Sequence, residues 1–174
     1  MSDALEHSEQ VSLATVLFVD DEPSILSALR RLMRKTPYEC LFANSGKEAL
    51  EILENTAVDV VISDMKMPEM SGEQLLAEVA KTYPETVRIV LSGYSEERMV
   101  MAAINEGRIW GFIHKPWNET ELRQAIEQAV FTQQIVAERS LLKRSLAQYR
   151  SNIKEAFEGF VGASINMQFI YNSI

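Results

Sequence analysis

The sequence has one cysteine, Cys40, and two histidines, His7 and His114, far apart in the chain. A disulfide within the chain and a thiolate metal site are therefore excluded, and a histidine metal cluster has too few ligands. Cys40 lies in an apolar run and reads as a small core residue. No apolar run approaches the roughly 20 residues that a membrane-spanning helix needs, so no membrane partner is expected. The opening residues, Met1 to Gln10, are polar and acidic, the reverse of a signal peptide, and a reducing cytoplasm is the expected location. Positive charge is also scarce: 17 Lys and Arg stand against 25 Asp and Glu, a net charge of -8. Direct binding of nucleic acid is not expected without a segregated basic patch. The short basic groups Arg30–Arg31, Arg34–Lys35 and Lys143–Arg144 read as solvated helix faces.

What is present is a regular alternation. With 174 residues and 47% hydrophobic content, the chain can form one cored domain and a modest extension. Thr15-Val16-Leu17-Phe18-Val19 is a continuous apolar run that stops at Asp20-Asp21-Glu22, as a strand buried on both faces does. Pro23 suits the first turn of a helix, Ile25, Leu26, Leu29, Leu32 and Met33 follow at helical spacing, and Pro37 ends it. Further strands are predicted over Tyr38–Ala43, Val58–Ile62, Val87–Leu91 and Ile109–Ile113. Between them fall a helix capped by Ser45, one carrying Leu75, Leu76 and Val79, and one opened by Ser95. A long helix starts near Asn118. This pattern predicts an α/β fold, a five-stranded parallel sheet with helices on both faces.

In such sheets the functional crevice lies at the carboxyl ends of the strands. Those ends carry Asp20-Asp21, Asp64, Ser92 and Lys115. Carboxylates gathered at one edge repel one another unless a divalent cation sits among them, and oxygen ligands suit Mg²⁺. Because Mg²⁺ takes only one or two carboxylates, another is left free to react, and aspartate is a nucleophile towards phosphorus. Phosphoryl transfer then needs positioning and neutralised charge, which Lys115 and the Ser92 hydroxyl can supply. Each residue alone has a plainer role: an Asp pair caps a helix, and a Lys before Pro is a solvated charge. Glu22 can coordinate a cation or cap the helix and reads as the cap; Lys115 is a lone ammonium with no obvious structural need, its charge expected to pair with Asp64 and a phosphoryl group. A metal hydrolase would need a positioned water and a general base, for which the strand ends offer no spare histidine. A dinucleotide-binding enzyme would need a glycine-rich turn where Asp20-Asp21-Glu22-Pro23 stands.

Four segments carry a resemblance: Phe18-Val19-Asp20-Asp21-Glu22-Pro23, Ser63-Asp64-Met65-Lys66-Met67-Pro68-Glu69-Met70-Ser71-Gly72, Leu91-Ser92-Gly93-Tyr94 and Phe112-Ile113-His114-Lys115-Pro116-Trp117. Together they resemble the receiver domain of bacterial two-component response regulators, over roughly Thr15 to Phe131. The resemblance implies a flavodoxin-like receiver fold and a signalling domain rather than an enzyme. It implies Asp64 as phosphoacceptor, and Mg²⁺ held by Asp20, Asp21, Asp64 and the Lys66 carbonyl. Ser92 would be the hydroxyl switch, Phe112 the aromatic switch and Lys115 the phosphate-binding lysine. Lys66 and Tyr94 would tune the phosphoryl lifetime, and Lys115–Pro116 would be a cis peptide. A sensor histidine kinase or phosphotransfer protein would be the donor.

Beyond the domain, Ile135, Leu142, Leu146, Tyr149, Ile153, Ala156 and Phe160 follow a three-four spacing interrupted by Arg139, a coiled-coil seam for a homodimer. Gly162, Ser164, Met167, Tyr171 and Ile174 resemble the beginning of the ATPase domain of enhancer-binding transcription activators. The expected organisation is a flexible lead at 1–13, a receiver at 14–131, a helical linker at 132–159 and the start of an output domain at 160–174. The alternatives are a stand-alone receiver acting by protein contact and, from Lys115-Pro116-Trp117, the receiver of a cyclic-dinucleotide phosphodiesterase.

Overall fold

The computed structural model describes residues 13–171, with side chains through Val161. Positions 1–12 of the expected lead lie outside the described residues, as do the side chains of Gly162, Ser164, Met167, Tyr171 and Ile174. Five strands, β1 (Thr15–Val19), β2 (Glu39–Ala43), β3 (Val60–Asp64), β4 (Val87–Ser92) and β5 (Gly111–His114), form one parallel sheet in the order β2-β1-β3-β4-β5. The helices are α1 (Pro23–Met33), α2 (Gly46–Asn55), α3 (Gly72–Thr82), α4 (Glu97–Asn105) and α5 (Glu119–Tyr171). This is the flavodoxin-like order, whose direction reverses between β1 and β3.

The central strands are buried on both faces because alternate residues enter different layers. Val16 and Phe18 of β1, with Val60 and Ile62 of β3, join Leu26, Leu29, Leu122 and Ile126 in one core. Leu17, Val19 and Val61 point the other way, into a core with Ala49, Leu75, Leu76, Val79 and Val100. Helix starts follow the local chemistry. Pro23 stands in the first turn of α1. Ser45 Oγ accepts the Glu48 N–H at 3.2 Å, and Ser71 and Gln74 cap α3 reciprocally. Asn118 Oδ1 accepts the Thr120 N–H at the start of α5.

Several boundaries differ from the sequence reading. β3 starts at Val60 rather than Val58, and β5 at Gly111 rather than Ile109. The Ile109 N–H still bonds back to Ala103 O, so this residue belongs to the turn after α4. Ser95 does not open α4; it lies in a 3₁₀ turn, Tyr94–Glu96, that precedes the helix. Cys40 is partly exposed and packs against the first core rather than lying within it. The chain divides into two compact units, the first ending at Gln134 and the second starting at Ile135. Among the described residues, no helix is long and apolar enough to cross a membrane.

Candidate functional site

The reversal of strand order between β1 and β3 opens a crevice at the carboxyl ends of the strands. Asp20 follows β1, its N–H donating to Ala43 O at 3.2 Å as the ladder ends. The residue is 0% exposed, and its side chain accepts the Glu22 N–H on Oδ1 at 2.9 Å. Asp20 therefore fixes the turn into α1. The expected cap by Glu22 is not made: Glu22 stands at the capping position without a side-chain bond, and only its carbonyl receives the first helical N–H groups.

Asp64 ends β3 and is 8% exposed. Its Oδ2 accepts the Lys66 N–H at 3.1 Å. The loop after it returns tightly, with the Gly72 N–H donating to Met65 O at 2.9 Å. A Cβ on Gly72 would lie 1.8 Å from Asp64 O, so glycine is required for this close approach.

Lys115 follows β5, and its N–H donates to Ser92 O at 2.8 Å. Its ammonium reaches between the two acids, 2.6 Å from Asp64 Oδ1 and 2.9 Å from Asp20 Oδ2. The expected pairing of Lys115 with Asp64 is present, and Asp20 is a second partner, so the ammonium is not without structural need: it compensates two buried carboxylates. Burial pulls the Lys115 ammonium towards deprotonation, but its bonds to Asp64 and Asp20 outweigh this and leave its pKa raised. Burial pushes the Asp64 carboxyl above the ordinary range; Lys115 opposes the shift and Asp20 adds to it. Lys115–Pro116 is a cis peptide.

Ser92, the last residue of β4, is 1% exposed, and its Oγ has no hydrogen-bond partner among the described residues. Beside it lies a cavity of about 130 Å³ lined by Ser92, Glu97, Val100, Met101, Phe112 and His114. The Phe112 ring is turned outward, 40% exposed, and meets His114 edge-on at 4.9 Å. His114 in turn stacks on Tyr94 at 5.2 Å.

The structure thus brings together Asp20, Asp64, Lys115 and, through its backbone, Lys66. Asp21 stands next to Asp20 in the turn. Among the described residues, no three or more His, Cys, Asp or Glu side chains gather as a ready-made metal cluster. The donor chemistry nevertheless fits Mg²⁺: Asp20 and Asp64 already grip one cationic atom between their oxygens, and Mg²⁺ asks for only one or two carboxylates. The sequence reading missed Glu96, whose Oε2 accepts the Gly93 N–H at 3.0 Å and whose Oε1 pairs with Lys66 Nζ at 3.2 Å. A glutamate three residues after a strand-ending turn is the capping signal that marks it in the sequence.

A doubly wound parallel sheet that collects two acids, a lysine and a serine at its carboxyl edge is the arrangement of a receiver-type signalling domain. The sequence model of the response regulator receiver domain matches residues 16–127, and the chain belongs to that family. It is 40% identical over 120 residues to the hydrogenase transcriptional regulatory protein HoxA of Cupriavidus necator, covering 69% of this chain and 25% of that protein. It is 33% identical over 176 aligned positions to the transcriptional regulatory protein GlrR of Escherichia coli, covering 92% of this chain and 39% of that protein. The signal receiver domain of an HD domain-containing protein from Pseudomonas fluorescens superposes with a TM-score of 0.72 at 37% identity, over 78% of this chain and 99% of that one. The chain therefore spans well under half the length of these curated relatives.

Proposed function

We propose that Asp64 accepts a phosphoryl group from a sensor histidine kinase or phosphotransfer protein and that Ser92, Phe112 and Lys115 convert this into a change of surface. The observation that carries the reading is the pairing of the Asp64 carboxylate with Lys115 Nζ at 2.6 Å beside a buried Ser92 Oγ that has no partner among the described residues. An Asp64 oxygen attacks phosphorus, the bond to the donor's histidine nitrogen breaks, and the electron pair leaves on that nitrogen. Mg²⁺, held by Asp20, Asp21, Asp64 and the Lys66 carbonyl, would neutralise charge on the transferring group. Lys115 and the Ser92 hydroxyl take phosphoryl oxygens, and this gives Ser92 the partner it lacks. Phe112 can then turn inward: the 130 Å³ cavity is close to the roughly 150 Å³ that accommodates a benzene ring. The face made by α4, β5 and the start of α5 changes, and a partner reads it.

The output proposed is transcription control. The GlrR relative, which matches over most of this chain, is a transcriptional regulator, and this favours that output over a stand-alone receiver or a phosphodiesterase. On this reading the receiver is 14–131, the linker 132–159 and the start of the output domain 160–174. The protein acts in the cytoplasm, as a homodimer through its C-terminal helix, with no direct nucleic-acid contact by this segment. The test is exposure to acetyl phosphate with Mg²⁺ and intact-mass measurement. One phosphoryl group is expected on the wild type and none on Asp64→Asn or without Mg²⁺. Equal modification of Asp64→Asn would overturn the assignment.

A further inference from the structure

Lys66 belongs to two partners at once. Its backbone N–H holds Asp64 Oδ2 at 3.1 Å, while its ammonium pairs with Glu96 at 3.2 Å. The pair is lopsided: the Lys66 side chain is 64% exposed and the Glu96 side chain 9%. Glu96 is thus a nearly buried carboxylate kept in place by two donors, Lys66 Nζ and the Gly93 N–H at 3.0 Å. Gly93 directly follows Ser92, and Glu96 directly precedes α4. The ion pair therefore ties the loop after the acceptor aspartate to the start of the helix beside the switch cavity.

The opposite end of α4 is fastened differently. Arg88, 4% exposed, donates to the carbonyls of Arg108 and Thr86, each at 2.7 Å, and Arg108 pairs with Glu73 of α3 at 2.6 Å. None of these bonds involves the Asp64 side chain or Lys66. The N-terminal end of α4 is consequently the end that phosphorylation can release.

From this geometry we infer that Glu96 is a positioning residue that competes with the phosphoryl group for the Lys66 ammonium, making the Lys66–Glu96 pair a latch on the unphosphorylated state. A phosphoryl group on Asp64 brings roughly two negative charges next to the residue that carries Lys66. Lys66, with an exposed and flexible stem, swings to the stronger anion. Glu96 is left with one donor in a site that admits little water, an arrangement that costs free energy until the turn Tyr94–Glu96 and the start of α4 rearrange. The latch rests on the reading of Asp64 as acceptor and adds to it a residue that sets how readily the acceptor state forms.

The test uses the full chain, beryllofluoride with Mg²⁺ as the probe, and the variants Glu96→Gln, Lys66→Met and the double substitution. Glu96→Gln keeps an oxygen for the Gly93 N–H while removing the competing charge, and Lys66→Met keeps the backbone carbonyl and N–H. Glu96→Gln should raise beryllofluoride affinity about two- to fivefold, the range that a partly exposed ion pair is worth. In the Lys66→Met background the same change should have no effect. The cycle of thermal midpoints should show Lys66 and Glu96 coupled without beryllofluoride and uncoupled with it. A Glu96→Gln effect that persists without Lys66, or coupling that survives beryllofluoride, would overturn the latch alone. A wild type that does not bind beryllofluoride would overturn the acceptor reading and the latch together.

Discussion

Lys115 Nζ lies 2.6 Å from Asp64 Oδ1 although 51 residues separate the two in sequence. The same nitrogen reaches Asp20, which is wholly buried, so one cation compensates two anions that share little water. Removing one member of such a group leaves the others uncompensated, which is more damaging than the group itself is stabilising.

Lys115→Met should therefore lower the unfolding free energy in Mg²⁺-free buffer by about 2 kcal/mol, a value reduced from the fully buried case because the lysine is partly exposed. Adding Asp20→Asn should restore much of the loss, since it removes one of the two stranded charges. Mg²⁺ should raise the urea midpoint of Lys115→Met more than that of the wild type. Urea melts with and without Mg²⁺ read all three effects. An unchanged midpoint in Lys115→Met would mean that the two carboxylates are adequately solvated without it.

Ser92 offers the opposite sign. Its hydroxyl is buried without a partner among the described residues, so removing it relieves an unmet bond instead of breaking a made one. Ser92→Ala should keep the stability of the wild type or gain about 1 kcal/mol. It should nevertheless lose the response of the Phe112 face to beryllofluoride, followed by the fluorescence of nearby Trp110. A variant that is clearly destabilised would show that the hydroxyl already has a partner in solution.

The sheet was legible because its central strands are buried on both faces and read as uninterrupted apolar runs. The positions of Asp20, Asp64, Ser92 and Lys115 followed from that, since each stands at a strand end. The edge strand β5 was blurred: it is short and only Ile113 is buried, so its start could not be told from the turn before it. Of the contacts between distant segments, the pairing of Lys115 with Asp64 was legible from their strand-end positions, and others were not. Nothing near Lys115 indicates that it reaches Asp20 across 95 residues, and nothing near Lys66 points to Glu96. Glu22 misled because capping depends on backbone geometry, and the Asp20 side chain had already fixed that turn.

Cys40 gives a pH prediction away from the site. Burial raises its thiol pKa; a bond with Thr36 opposes the shift and the charge of Glu39 adds to it. The fold thus disfavours the thiolate. Below the ordinary thiol value of about 8.5 both states keep the proton and Cys40 contributes no pH dependence. As pH rises past that value the unfolded chain ionises first, so stability falls until the folded pKa is reached. Urea melts between pH 7.5 and 9.5 should therefore show a steeper loss for the wild type than for Cys40→Ala. Iodoacetamide should alkylate the folded protein more slowly than the urea-unfolded chain at pH 9. Equal rates would show the thiol to be freely ionising.

The second unit, from Ile135, bears on self-association. Ile135, Leu142, Leu146, Tyr149, Ile153 and Phe160 are all exposed large side chains on one helix. Placing Arg139, Leu146, Ile153 and Phe160 at a positions puts Ile135, Leu142, Tyr149 and Ala156 at d, an unbroken alternation of three and four. In that register Glu138 falls at g and Lys143 at the following e, opposite charges that pair across a parallel dimer and not across an antiparallel one. Arg139 at an a position weakens the seam but penalises shifted registers, in which it would meet more apolar side chains. So short a seam is marginal by itself, and association should be weak, with monomer and dimer both present at micromolar concentration. Sedimentation equilibrium should show this for the full chain and a monomer for Leu146→Glu, which sets a charge at the middle of the seam. A form ending at Gln134 should also be a monomer. Arg139→Leu should tighten the dimer, because an apolar residue there completes the seam. If Leu146→Glu associates as strongly as the wild type, copies meet through the receiver and the exposed helix face has another role.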